Sequence, residues 1–314
     1  TNPCSEIILR PYQFCNLSEV VIRPRDTAQS LRQKVRLATI LGTFQSCLTN
    51  FKYLRAVWKR NTEEERLLGV SLTGIMDNPL MFSKEGLVEL LSELRKQAIA
   101  TNKSMAKQLG VPASTSITCV KPSGTVSQLV DSASGIHSRH SPYYVRTVRA
   151  DNKDPVTQFM IDNGVPSEPD ITQPESTTVF SFPFASPSDA VSRKDRTAIE
   201  QLELWVLYQR HWCEHKPSVT VSVLEHEWLE VGAWVYNHFN EVSGISFLPF
   251  SEHSYKQAPY QDCDKEDYIA LQKQMPNNLD WSRLVDYEKE DTTTGVQDLA
   301  CSAGVCEVVD IQAA

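Results

Sequence analysis

Between residues 27 and 250, short β-branched runs alternate with amphipathic segments of crossover length, and this confines the chain to the α/β class. Leu31, Val35, Ala38, Leu41, Phe44 and Leu48 recur at three- and four-residue spacing, predicting a helix over 27–50 that opens near Asp26 or Thr27. Residues 67–76 predict a strand ending at the turn Asp77-Asn78-Pro79. Ser83 is the expected cap of a second helix, with Leu87, Leu90, Leu91, Leu94, Ala98 and Ile99 on one side and Gly110 just past its end. A strand at 116–120 leads into Lys121-Pro122-Ser123-Gly124-Thr125, and 126–130 reads as the first turn of a helix. The Pro/Ser-rich stretch 164–187 carries a strand at 177–182. A helix at 196–213, a strand at 218–223 and a helix at 225–240 follow. Such an order predicts a largely parallel sheet.

Beyond Phe250 the periodicity decays. Pro259, Pro276 and the Asp291-Thr-Thr-Thr-Gly295 run make 251–298 read as an acidic linker or tail, so the expected division is 1–250, 251–298 and 299–314. The formal net charge of 31 − 39 = −8 is unevenly spread. Residues 1–150 hold 20 Lys+Arg against 11 Asp+Glu, and the remainder 11 against 28. A basic half suits a phosphate-bearing ligand and an acidic end argues against wrapping duplex nucleic acid, although solvated faces explain the same numbers. No apolar run reaches eighteen residues, and Thr-Asn-Pro-Cys-Ser-Glu offers neither a basic nor an apolar leader. The expectation is a soluble, cytoplasmic protein with no membrane contact and no direct nucleic-acid binding.

In that setting the eight cysteines point to catalysis, metal binding or core filling more than to structural disulfides. Cys47 and Cys119 lie in apolar patterns and are expected in the core. Asn2-Pro3-Cys4-Ser5-Glu6 places an amide, a thiol and a carboxylate at alternate positions, which in an extended loop face the same way. An ordinary polar loop is the competing reading. Cys301-Ser-Ala-Gly-Val-Cys306 joins two thiols through small residues, suited to closing a disulfide on a tether; zinc is the rival but lacks two further ligands nearby. Lys121 to Ser127 sits at a strand-to-helix junction and offers backbone N–H groups, hydroxyls and an ammonium to a phosphate, or else a capped structural turn. It lacks the Walker spacing. His211 and His215, and His137 and His140, are spaced for a metal, but core or surface roles account for them and no metal site is assigned.

Together these pieces resemble the catalytic subunit of ribonucleotide reductases. The resemblance rests on the Asn2–Glu6 loop, Cys15, the Lys121–Ser127 wording and the Cys301/Cys306 pair. It extends through Ser134-Gly-Ile-His137, Pro142-Tyr-Tyr-Val-Arg146, Gly244-Ile-Ser-Phe-Leu-Pro249, His253 and Ala258-Pro-Tyr260. Pro3 and the Lys121–Ser127 wording are most similar to class II, the adenosylcobalamin-dependent enzymes.

The resemblance implies the C-terminal portion of a ten-stranded α/β barrel, with a catalytic finger loop and a flexible C-terminal cysteine tail. It implies reduction of ribonucleotides, at the triphosphate level. Cys4 would carry a thiyl radical, Glu6 would take the 3′-hydroxyl proton, Asn2 would hold the substrate and Cys15 would be one of two reducing thiols. Cys301 and Cys306 would relay electrons from thioredoxin or a similar dithiol, and Lys121, Pro122, Ser123, Gly124, Thr125, Val126 and Ser127 would hold the substrate phosphates. Family members are longer and carry the loop mid-chain, so an N-terminal half of the same enzyme is an expected partner, with this chain a split, post-splicing or partial product. The alternatives are an oxygen-dependent class I large subunit, or a non-catalytic half that acts only when joined to an upstream chain.

Overall fold

A computed structural model describes residues 1–250 and 255–289. In chain order its first half holds β1 (Asn16–Val21), α1 (Ala28–Gln45), α2 (Ala56–Glu65), β2 (Leu68–Thr73), α3 (Leu87–Leu109), β3 (Thr118–Cys119) and α4 (Val126–Leu129). Then come β4 (Tyr143–Asp151), α5 (Pro155–Asp162), β5 (Ser167–Pro169), β6 (Thr177–Ala185), α6 (Ala198–His211) and β7 (Val219–Val223). The last described elements are α7 (Trp228–Asn237), β8 (Ile245–Pro249), β9 (Tyr260–Asp262) and α8 (Lys265–Gln274). They divide into two compact units, the first made of 1–139 with 187–250, the second of 140–186 with 255–289.

The first unit is α/β with parallel strands, as the alternation predicts. β1, β2 and β3 pair in that order, all parallel, and β7 pairs in parallel with β8. A parallel bridge between Val120 and Pro217, flanked by bonds from the N–H of Val120 to the Lys216 carbonyl (3.2 Å) and of Ser218 to the Val120 carbonyl (2.9 Å), joins the two sets. The result is the succession β1-β2-β3-β7-β8, whose outer strands pair on one side only among the described residues. β2 is buried along its whole length, as a strand covered on both faces must be.

Helix ends follow the sequence where the chemistry is local. Thr27 caps α1 in a capping box with Ser30, and Gly110 ends α3 at φ 69°. Ser83 does not cap α3. Its N–H bonds the Pro79 carbonyl at 2.9 Å, an α-type bond at the end of the 3-10 turn Pro79–Met81, and α3 starts after Gly86. α6 anchors the strand junction through buried donors: Trp205 Nε1 to the Pro217 carbonyl (2.7 Å), Tyr208 Oη to that of Met81 (2.7 Å), and the adjacent Trp212 Nε1 to that of Cys119 (2.8 Å).

A buried ion pair locks the segment after α4. Arg139 grips Asp77 with two bonds of 2.8 and 2.9 Å, Asp77 also accepts the Ala133 N–H at 2.8 Å, and Arg139 Nη1 reaches Asp131 at 2.8 Å. Arg139 is 4% exposed and Asp77 1%. His137 belongs to the same scaffold, its Nε2 accepting the Thr220 N–H at 2.9 Å while Nδ1 faces the Ser134 carbonyl at 2.9 Å.

The second unit is an antiparallel sheet in the order β5-β6-β4-β9. The strand predicted at 177–182 lies here, so the parallel expectation does not extend to it. Tyr144 stacks on Phe184 across the β4–β6 pair, and Thr147 and Arg149 tie the sheet to Ala258, Gln257 and Asp170. Within 255–289, part of the 251–298 stretch read above as an acidic linker or tail, the chain forms β9, α8 and a 3-10 turn at Trp281–Asp286. No helix of the described residues is long and apolar enough to cross a membrane.

Candidate active site

The loop that precedes β1 folds into a tight turn. The Asn2 N–H bonds the Ile7 carbonyl at 3.2 Å, the Ile7 N–H bonds Asn2 Oδ1 at 3.1 Å, and Ser5 turns the chain at φ 62°. The three polar side chains therefore converge through a turn and not through extended alternation. Asn2 Nδ2 donates to Glu6 Oε1 in a short contact. Glu6 is fully buried, and its backbone carbonyl accepts the Lys216 N–H at 3.0 Å just before β7.

Two neighbours fix the loop's ends. Ile7 is buried against Gly69 of β2, where an added Cβ would push the tips of the Leu17 and Ile7 side chains aside. Downstream, Phe14 stacks on Trp58 of α2 at 4.6 Å between centroids, and Gln13 Nε2 donates to Glu65. Cys15, a free thiol, then leads into β1.

Lys121 completes the cluster. Its Nζ lies 3.3 Å from Cys4 Sγ and 3.5 Å from Glu6 Oε1. Burial pulls the ammonium toward deprotonation, but the Glu6 carboxylate and Cys4 outweigh it, and the pKa stands above the ordinary lysine value. Burial, with the Glu6 charge second, pushes the Cys15 thiol up to about 11, so at neutral pH Cys15 carries its proton. Cys119, fully buried, is likewise pushed well up, chiefly by desolvation.

The Lys121–Ser127 loop divides its labour. Ser123 and Ser127 are buried and spend their hydroxyls internally: Ser123 Oγ donates to Glu19 (3.0 Å) and accepts the Ser127 N–H (3.1 Å), and Ser127 Oγ donates to the Ser123 carbonyl. Pro122 is half-buried, while Gly124, Thr125 and Val126 form an exposed tip. Neither Gly124 nor Thr125 donates a backbone bond among the described residues. α4 is one turn only. The structure thus gathers Asn2, Cys4, Glu6 and Lys121 into one cluster, with Cys15 close enough to feel both Glu6 and Lys121. Cys301, Cys306 and His253 lie outside the described residues.

Sequence reasoning missed Glu19. It stands on the half-buried face of β1 with Oε1 buried and unpartnered, and burial raises its pKa despite the Ser123 bond and the Lys121 charge. A carboxylate inside an alternating strand four residues after Cys15 was the available signal. No group of three or more metal-ligating side chains occurs among the described residues.

The fold is similar to that of solved ribonucleotide reductase catalytic chains. A solved B12-dependent (class II) ribonucleotide reductase superposes with a TM-score of 0.76 at 24% identity, over 93% of this chain and 44% of that one. The alpha subunit of a class Id reductase from Actinobacillus ureae shares the fold more distantly, at TM-score 0.52 and 11% identity over 79% of this chain and 52% of that one. Among curated proteins, the chain is similar to the adenosylcobalamin-dependent ribonucleoside-triphosphate reductases. That of Euglena gracilis is 28% identical over 85% of this chain and 36% of its own length, and that of Lactobacillus leichmannii 25% over 98% and 45%. A probable enzyme of the same kind from Dictyostelium discoideum is 28% identical over 98% of this chain and 40% of its own length. The resemblance read from the motifs to class II reductases therefore holds, and the chain spans less than half the length of these relatives. No family model matches it.

Proposed function

We propose that the chain is the C-terminal catalytic portion of an adenosylcobalamin-dependent ribonucleoside-triphosphate reductase. The observation that carries this reading is the convergence of Asn2, Cys4 and Glu6 on one half-buried turn, in a chain similar to enzymes of that name. The cofactor's cobalt is held by its own ring, so the fit turns on a receptive thiol and not on a protein metal cluster. Cys4, free and half-buried, is such a thiol. Bound adenosylcobalamin supplies a carbon-centred radical able to take a thiol hydrogen.

The chain's own residues account for the rest. The Cys4 sulfur radical takes the 3′ hydrogen of the ribose, forming S–H as C3′–H breaks. Glu6, whose Oε2 is buried and unpartnered, accepts the proton of the 3′-hydroxyl, and Asn2 orients the carboxylate that does so. Cys15, held protonated, gives its proton to the 2′-hydroxyl as it leaves as water. Two thiols, Cys15 and one outside this chain, supply the two electrons and become a disulfide, and the 3′ hydrogen returns from Cys4. Cys301 and Cys306 then exchange with that disulfide and are reset by thioredoxin or a similar dithiol. The exposed tip Gly124–Val126 meets the substrate phosphates with backbone N–H groups and the Thr125 hydroxyl. Further strands on the open sides of β1 and β8 close a ten-stranded barrel in which residues 1–15 form the finger loop, and the enzyme works in the cytoplasm.

The test is reduction of a ribonucleoside triphosphate with a small dithiol, by this chain mixed with the N-terminal half of the enzyme, with and without adenosylcobalamin. Product only with the cofactor is the expected result. Product without it, given a radical-generating subunit instead, would move the chain to the oxygen-dependent class.

A further inference from the structure

Lys121 stands at the head of a loop suited to phosphate, yet its ammonium is committed elsewhere. Its backbone N–H bonds Ser71 Oγ of β2 at 2.9 Å, and Gly135 passes so close that an added Cβ there would come 2.5 Å from the Lys121 carbonyl oxygen. From that fixed root the side chain reaches Cys4 Sγ and Glu6 Oε1 at 3.3 and 3.5 Å and keeps only 30% exposure. Glu6 has no other cation within ion-pair distance among the described residues. Cys15, Glu19 and Cys119 all feel the same positive charge. One cation thus stands among five acidic groups, and a buried carboxylate without it would be left uncompensated.

We propose that Lys121 is the positioning residue of the thiol–carboxylate centre, holding Cys4 Sγ and Glu6 Oε1 on one ammonium, and is not a ligand of the substrate phosphates. Its part in turnover rests on the reductase reading, whereas its contact with Cys4 does not. The ammonium holds the Cys4 sulfur at 3.3 Å and gives the buried Glu6 carboxylate its cationic partner at 3.5 Å, so it fixes the two groups relative to each other.

The experiment uses the reduced 314-residue chain and iodoacetamide at pH 8, with modification of the Cys4 peptide followed by mass spectrometry. Lys121→Met is expected to slow Cys4 alkylation by roughly 3- to 10-fold, because the attacking sulfur loses the cation beside it, while Lys121→Arg stays within about twofold. The half-buried Cys47 is the internal control and should not change. Glu6→Gln, which removes the competing anion, is expected to quicken Cys4. Should Lys121→Met not fold, that direction decides. Equal alkylation in wild type and Lys121→Met, or no gain in Glu6→Gln, would overturn the proposal.

With the N-terminal half added, Lys121→Met should lower kcat and leave the KM for the nucleotide within about twofold. A raised KM with kcat kept and Cys4 alkylation unchanged would make Lys121 a phosphate ligand after all. If the wild type reduces no nucleotide but Cys4 alkylation still depends on Lys121, the reductase reading fails and the placement of Lys121 stands.

Discussion

Replacing Arg139 by Met leaves the Asp77 carboxylate, 1% exposed, with the Ala133 N–H as its one remaining side-chain partner among the described residues. The variant loses both bonds of the 2.8 and 2.9 Å grip, and methionine supplies volume but no charge. Removing one partner of a buried pair costs about 3–5 kcal/mol, because the remaining ion is neither solvated nor paired. With a urea m-value near 3 kcal/mol/M, the unfolding midpoint should fall by about 1–1.7 M. Tryptophan fluorescence is the suitable probe, since Trp58, Trp205, Trp212, Trp228 and Trp234 all belong to the first unit and only Trp281 to the second. The double variant Asp77→Asn/Arg139→Met removes both charges and keeps an acceptor for Ala133, so it should lose clearly less than the single change. A loss below about 1 kcal/mol for Arg139→Met, or a double variant worse than the single one, would refute the reasoning.

Gly69→Ala should cost about 1–3 kcal/mol, read from the same urea curves, because the new methyl must displace Leu17 and Ile7, which anchors the turn at residues 2–7. Burial holds His137 and His215 below the ordinary histidine value of 6.5, so below that pH the unfolded chain binds protons that the folded chain refuses, and stability is lost as pH falls from about 6.5 toward 5. His137→Asn should flatten that fall in thermal melts, and an unchanged slope would contradict the buried neutral ring. Cys301→Ser should spare turnover with a small dithiol and block it with thioredoxin; equal loss with both reductants would remove the relay role.

Much of the first unit was legible because its signals are local. Thr27 followed by the Leu31–Val35–Ala38 spacing, and Gly110 after a long apolar face, set α1 and α3 within a few residues. Elements that escaped notice bury little of themselves. α2 reads AVWKRNTEEE and buries only Thr62, and α8 has no buried residue, so neither carries the apolar period from which helices are read. β4 alternates irregularly because Arg146 and Arg149 serve tertiary partners, the Tyr260 ring and Asp170. At the site, Asn2, Cys4 and Glu6 were legible as a group, but the turn that joins them depends on bonds to Ile7 and Lys216. The reach of Lys121 across 117 residues to Cys4 is a product of strand order, which no local pattern encodes.

The most direct test of a Cys4-centred chemistry is Cys4→Ser, assayed for deoxyribonucleotide formation with adenosylcobalamin, a small dithiol and the N-terminal half. Serine keeps the size and the hydrogen bond, but its O–H bond is too strong to be converted into the radical. The account predicts an unchanged melting curve and no product beyond background. Product at a rate comparable to wild type would contradict it.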